Sequence, residues 1–413
     1  MRVVHITGKD FYGAGRAAFR LHEGLLDEGV NSCMLVGEKV SNESTVYNIQ
    51  HSKWHKLKRK ALVRIEKIVN KILGLQSDVM FSSGILALKQ YKQINQLKPD
   101  LVHVHWINRG FFDVRCLKKI KAPIVISMHD MWYFTGGCHY NKQCEKYIWQ
   151  CCECPLLKRD KMPDLTVKWQ SIKQKAYQQI NHLVFVGLSQ WMAQCAQQSS
   201  LLKDHTVVNL PNCINVNQFK NDPKAFKSLG FTTDKKRILF AAVDALSDVN
   251  KGFEYLNHAI TKLSPDEYEL IILGDKSKQS FHHSIFKVYN VGFVDDDRLL
   301  IQYLSAAHLV VVPSLQENLS NMIMEALACS TPVVAFNTCG NGDLISHCEN
   351  GYLAKAFDAD DLASGIQWCL QTKQRQDMLA ENAREKVLRE FEMRKVSLRY
   401  MAMYKQMIEQ YGG

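Results

Sequence analysis

Two successive series of short apolar runs, each run parted from the next by a stretch long enough for a helix, constrain this chain more than any other feature. The first series occupies residues 3–6, 101–105, 124–128 and 183–187, and the second occupies 237–242, 269–273, 288–292, 309–312 and 332–336. Runs this short and this rich in Val, Ile and Leu suit strands buried on both faces. Such strands run parallel and are joined by crossovers, most often helices. Each series therefore predicts a doubly wound parallel sheet, and the chain an α/β protein with two Rossmann-like domains.

A length of 413 residues and 47.3 kDa exceeds what one ordinary core holds, which agrees with two domains. The pattern breaks at NLPNCINVNQF, residues 209–219, so the expected division is 1–213 and 214–392. No apolar run reaches bilayer-spanning length, and the opening MRVVHIT passes straight into a strand with no signal-peptide pattern; a cytoplasmic protein is expected. Thirteen cysteines, most of them single and at apolar positions such as Cys329 and Cys369, suit a reducing compartment. The net charge of +11 favours anionic partners: nucleotide diphosphates, lipid phosphates or nucleic acid. Nucleic acid is set aside, because no basic run interleaved with aromatics and no recognition motif occurs.

The segment 309–336, LVVVPSLQENLSNMIMEALACSTPVVAF, reads as strand, helix over 318–329, and strand. Glu317 then lies in the loop leaving the first strand, and Glu325 lies about two turns further on. The backbone N–H groups near Leu319, Ser320 and Asn321, at the positive end of the helix dipole, suit a phosphate. Gly13-Ala14-Gly15 follows the first strand as a turn, His129 ends the strand 124–128, and Lys251-Gly252 follows the first strand of the second series. Lysine there could offset phosphate charge as it develops. Each feature also has a plain reading: a surface glutamate pair, a ligand-free turn, a satisfied structural histidine, a solvated lysine.

The spacing of Glu317 and Glu325, with its flanking strand, helix and Thr331-Pro332 turn, resembles the E-x7-E signature of retaining glycosyltransferases of family 4. That resemblance implies the GT-B fold, two Rossmann-like domains facing a cleft, with a last helix over 393–413 crossing back to the first domain. It assigns Glu317 to the hydroxyls of the donor sugar and Glu325 to the ribose. It assigns His129 to the transferred sugar, the loop Gly292-Phe293-Val294 to the nucleotide base, and Gly13 and Gly15 to the glycine-rich first loop. It implies a nucleotide-sugar donor, UDP- or GDP-linked, and no cofactor for catalysis. Ala245 stands where an arginine is common, so phosphate neutralisation leans on Lys251, helix dipoles, or an arginine such as Arg16 or Arg109.

Residues 136–155, GGCHYNKQCEKYIWQCCECP, carry Cys138, Cys144, Cys151 and Cys154, with Cys152 and His139 nearby. Four thiolates close together would suit a structural zinc ion, while a cysteine-rich loop or a redox-sensitive pair is the other reading. HDMWYFTGGCHY with these cysteines resembles polysaccharide-assembly transferases akin to colanic acid and O-antigen enzymes. Residues 53–73 hold eight basic side chains and only Glu66 against them, with apolar residues at helical spacing. An anionic membrane surface and a packed helix with solvated lysines are both open readings. The expected function is transfer of a sugar to a glycan, one carried on a lipid giving the membrane reading more weight. A sugar-phosphate synthase or phosphorylase and a non-catalytic scaffold are the alternatives.

Overall fold

The computed structural model describes residues 1–50, 52–75, 79–157, 164–243, 246–274 and 285–412. The chain divides into two compact units: Met1–Cys213 with Met393–Gly413, and Ile214–Glu392. In the first unit the elements run β1 (Arg2–Lys9), α1 (Tyr12–Asp27), β2 (Asn31–Glu38), β3 (Val46–Asn48), α2 (Lys53–Ile72), α3 (Tyr91–Gln96), β4 (Leu101–Val104), β5 (Ile124–Met128), α4 (Leu165–Tyr177), β6 (Leu183–Gly187), α5 (Gln190–Gln198) and β7 (Thr206–Asn209). Its sheet has the order β3-β2-β1-β4-β5-β6-β7, every pair parallel. Because the winding reverses between β1 and β4, their carboxyl ends flank the crevice where such sheets take ligands.

In the second unit, α6 (Ala225–Ser228), β8 (Lys236–Ala241), α7 (Phe253–Ile260), β9 (Tyr268–Leu273), β10 (Val288–Gly292), α8 (Asp297–Ala306), β11 (Leu309–Val312), α9 (Asn321–Ala328), β12 (Val333–Phe336), α10 (Asn341–Leu344), β13 (Gly351–Ala354), α11 (Ala359–Leu370) and α12 (Lys373–Glu390) follow in turn. The sheet order is β10-β9-β8-β11-β12-β13, again parallel, with its reversal between β8 and β11. α13 (Met393–Gly412) belongs with the first unit and packs on α1. At the junction the Asn215 side chain accepts from the amides of Asn217 and Gln218 at 3.0 and 3.2 Å, the capping that an aspartate would supply.

Two expectations need correction. The helix expected over 318–329 spans Asn321–Ala328, because the Ser320 hydroxyl accepts from the amide of Ile323 and acts as its N-cap. Gly13 and Gly15 lie in the first turn of α1 rather than in a turn before it.

α2 is amphipathic with its apolar side outward. Glu66 is its buried residue, bonded to the Ser83 amide and hydroxyl at 2.8 Å each, and Arg59 pairs with Glu38 at 3.1 Å. Trp54, Leu57, Ile65, Ile68 and Ile72 follow one another at helical spacing and are exposed, Trp54 to 76%. No helix among the described residues is long and apolar enough to cross a membrane.

Candidate functional site

The second unit gathers its candidate residues at the carboxyl ends of β8, β10 and β11. After β8, a short 3-10 turn, Val249–Lys251, ends on Gly252, whose φ of +69° is left-handed. A Cβ there would come within 1.9 Å of the Pro313 carbonyl oxygen, so only glycine lets this loop lie against the segment leaving β11. Two bonds join the loops: the amide of Leu315 donates to the Asn250 carbonyl at 2.8 Å, and the Asn250 side chain donates to the Gln316 carbonyl at 2.9 Å. The result places Lys251 Nζ 3.1 Å from Glu317 Oε2, each side chain about a quarter exposed. The Glu317 carbonyl also accepts from the Gly340 amide at 3.1 Å.

Leu319 and Ser320 lead into α9, Asn321 opens it, and Glu325 sits buried in its second turn, 2% exposed. Glu317 and Glu325 therefore have different settings, one beside an ammonium at a rim, the other in the interior. Gly292 closes β10 and accepts from the Gly274 amide at 2.7 Å, and Phe293 and Val294 follow half-buried. Ala245 lies outside the described residues.

In the first unit His129 follows β5 directly and is half-buried. Burial pushes its imidazole down to about 4 against the opposing charge of Asp130, so it is neutral at pH 7. Its Nε2 lies 3.1 Å from Nδ1 of His105, and Nε2 of His105 lies 3.0 Å from Nδ1 of His5. The neighbouring Asp130 accepts from Trp106 Nε1 at 3.0 Å and from the Trp132 amide at 2.9 Å, and pairs with His139 Nδ1 at 2.6 Å. Burial alone would raise its carboxyl, but His139 and these donors outweigh burial and hold it below the usual carboxylate range. Ser82, His139 and Asp130 follow one another as in a hydrolytic triad, yet Ser82 is only 4% exposed, so the chain of bonds braces Asp130 instead.

Gly13 and Gly15 differ. A Cβ at Gly15 would lie 2.4 Å from the Lys9 carbonyl, so packing of α1 on β1 demands that glycine; a Cβ at Gly13 would meet nothing within 4 Å. Cys138, Cys144, Cys151 and Cys154 are free thiols that line one pocket with Lys146 and Thr166. Burial raises the Cys138 thiol to about 12 and the Cys151 thiol to about 11. Their donor chemistry fits zinc, but they would have to draw together. Among the described residues only His5, His103 and His105 bring three ligand atoms within 4.8 Å of one another. These three histidines escaped sequence analysis. The signal was present in LVHVHW, where two histidines alternate along a strand otherwise apolar.

Comparison with known proteins adds to this geometry. Residues 221–386 match the family described as glycosyl transferases group 1. An uncharacterized glycosyltransferase of Methanocaldococcus jannaschii is 30% identical over 45% of this chain and 49% of its own length. The chain thus spans about half the length of the first curated relatives it matches. A putative colanic acid biosynthesis glycosyl transferase of Escherichia coli K12 is 23% identical over 78% of this chain and 80% of its own. Among solved structures, a sucrose-phosphate synthase of Thermosynechococcus elongatus has a TM-score of 0.72 at 18% identity, covering 99% of both chains. Anabaena HepE in complex with UDP and glucose has a TM-score of 0.67 at 15% identity, covering 98% of this chain and 99% of its own. Likeness at such low identity speaks for the fold alone: with the two parallel sheets it gives this chain the GT-B fold, and within it residues 221–386 match the glycosyl transferases group 1 family.

Proposed function

We propose that this chain is a family 4 glycosyltransferase that moves a sugar, with retention, from a nucleotide donor to a glycan of a bacterial surface polysaccharide. The observation that carries the reading is the Lys251–Glu317 pair at the reversal point of the second sheet, with Glu325 buried in the following helix. The bond between the anomeric carbon and the donor phosphate breaks, and its electrons go to the phosphate. The acceptor hydroxyl oxygen bonds to that carbon on the same face, and its proton passes to the leaving phosphate. Lys251 and the amides at the start of α9 stabilise the charge that develops there. Glu317 accepts from hydroxyls of the donor sugar and does not attack, unlike the nucleophile of a retaining glycosidase. Glu325 accepts from the ribose, the loop Gly292-Phe293-Val294 lies against the base, and His129 bonds the transferred sugar. Gly13, where a Cβ would meet nothing within 4 Å, leaves room for a ligand at the start of α1.

The donor is a UDP- or GDP-sugar; UDP is favoured by the complex of the Anabaena protein of like fold. The reaction uses no divalent ion, and Cys138, Cys144, Cys151 and Cys154 hold a structural zinc. The acceptor is lipid-linked. The protein works on the cytoplasmic face of the membrane, held there by the outward apolar stripe of α2 and the exposed lysines beside it, Lys56, Lys60, Lys67 and Lys71. Radiolabelled UDP- and GDP-sugars offered with membrane glycolipid acceptors and no added divalent ion test the proposal. Label transferred to glycolipid with retained anomeric configuration supports it. Transfer to a free sugar phosphate would make the chain a synthase, and neither turnover nor thermal stabilisation by any donor would make it a scaffold.

A further inference from the structure

One face of the first sheet carries a row of polar side chains where a parallel sheet would ordinarily be apolar. His5 on β1 stands in register with His103 on β4, and His103 with Val125 on β5, so His105, Ser127 and His129 continue the same face by strand alternation. All three inner histidines are buried. Both nitrogens of His103 are bonded to hydroxyls, Tyr404 at 2.6 Å and Ser127 at 2.8 Å, which leaves it outside the row that reaches His129. That row is His5, His105 and His129, joined by contacts of 3.0 and 3.1 Å. Backbone bonds hold its middle member: the amide of His105 donates to the Ile6 carbonyl at 2.9 Å, and the Tyr133 hydroxyl donates to the His105 carbonyl.

Three neutral imidazoles in a row share their protons in only two ways, because each ring has one N–H and each contact needs one. Burial holds His5 and His105 well below the ordinary histidine range, which excludes a doubly protonated middle ring at neutral pH. The two arrangements differ at the far end. Nε2 of His5 is buried with no hydrogen-bond partner among the described residues. Placing a proton there strands a donor, whereas placing a lone pair there strands only an acceptor, the lesser cost. So His5 Nδ1–H donates to His105 Nε2, His105 Nδ1–H donates to His129 Nε2, and the proton of His129 is left on Nδ1.

We infer that His105, backed by His5, is a positioning residue that locks His129 in the Nδ1–H tautomer, so that His129 offers a hydrogen-bond donor rather than an acceptor at its free nitrogen. The ligand class follows from the geometry: an oxygen acceptor such as a sugar hydroxyl or a donor phosphate oxygen. This step rests on the proposed transferase reading for its consequence, but the tautomer itself is measurable without turnover. The three rings come close enough to invite an ion, but the contact of 3.0 Å, the contact to His129 and the hydroxyls on His103 occupy every ring nitrogen of the three except Nε2 of His5.

Long-range proton–nitrogen spectra of the full chain labelled at histidine, assigned through His129→Gln, His105→Phe and His5→Phe, test the lock. The expected result is a protonated Nδ1 and a bare Nε2 on His129 at pH 7.5, with both tautomers present in His105→Phe. His105→Asn, whose amide can take the place of the Nδ1–H donor, should restore the single tautomer. In the transferase assay kcat should fall about 10- to 100-fold in His105→Phe and recover in His105→Asn, with nucleotide affinity unchanged in both. A protonated Nε2 on His129 in the wild-type chain overturns the inference and needs no variant to fold. So does bound metal whose removal by a chelator changes the spectra of His5 and His105. If the tautomer behaves as stated but His129→Gln leaves turnover intact, the lock stands and the sugar-binding role of His129 falls.

Discussion

Replacing Gly252 by alanine tests whether the contact between the loops after β8 and β11 builds the site in the second unit. The residue has φ +69°, which costs an L-residue about 1 kcal/mol. The new Cβ would also stand 1.9 Å from the Pro313 oxygen, well inside contact distance, and that oxygen belongs to backbone, which cannot swing aside as a side chain can. The loops must part. Parting them stretches the bonds from Leu315 to Asn250 and from Asn250 to Gln316, worth about 1 kcal/mol each. The sum is about 3 kcal/mol, a drop of roughly 6–12 °C in the melting transition of a unit this size. Because Lys251 adjoins Gly252, UDP should also stabilise the variant less than the wild type. Scanning calorimetry with and without UDP measures both effects. Gly342→Ala is the control, since a Cβ there meets nothing within 4 Å. A Gly252→Ala protein with wild-type melting and a wild-type response to UDP would refute the reasoning.

Glu317→Gln should lower kcat at least 100-fold with little change in nucleotide affinity, while Glu325→Ala should chiefly weaken UDP binding, about 10- to 100-fold. Calorimetric titration beside steady-state kinetics separates the two, and equal small effects at both would remove the assignment. Vesicles of anionic lipid should bind the chain less as salt rises without releasing it fully. Lys56, Lys60, Lys67 and Lys71 changed to Glu should abolish the salt-sensitive part, and Leu57 and Ile68 changed to Ser the remainder; indifference to vesicles at low salt ends the membrane reading. Protein purified without chelator should carry one zinc per chain, lost in Cys144→Ser and Cys154→Ser, and elemental analysis finding none would discard the zinc site. His22 is buried and its imidazole is pushed down from 6.5 to about 4 by burial. Between those values the unfolded chain binds a proton that the folded chain does not, so stability should fall as pH drops from 6.5 towards 4, by about 3 kcal/mol from this residue. Urea midpoints at pH 7.5 and 4.5 should lie closer together in His22→Gln than in the wild type, the remainder of the difference coming from the other buried histidines such as His5 and His105; an unchanged difference would show that burial of His22 is not a cause.

Much of the architecture was legible because strand identity is a local matter. Central strands such as β5 and β11 are buried on both faces, and a buried strand must be nearly all apolar wherever it sits in the chain. β2, β3, β7 and β13 went unread for the converse reason. They are short, or open on residues such as Asn31 and Ser32, and β3, β7 and β13 lie at or beside sheet edges, where one flank needs no apolar run. The start of α9 was misplaced by three residues because Asn318, Ser320 and Asn321 can each cap a helix, and only the bond from Ile323 to Ser320 selects among them.

By itself, then, the sequence determined the α/β class, the paired glutamates around a helix start, the histidine at the end of β5, and a basic helix with an apolar stripe. Which way that stripe faces was settled by tertiary structure, through the burial of Glu66 against Ser83. Tertiary structure also brought Lys251 to Glu317 across 66 residues, and His5 to His105 across 100. Hydrophobic period is written in neighbouring residues, but convergence of side chains depends on strand order and register, and those are set only when distant segments pair.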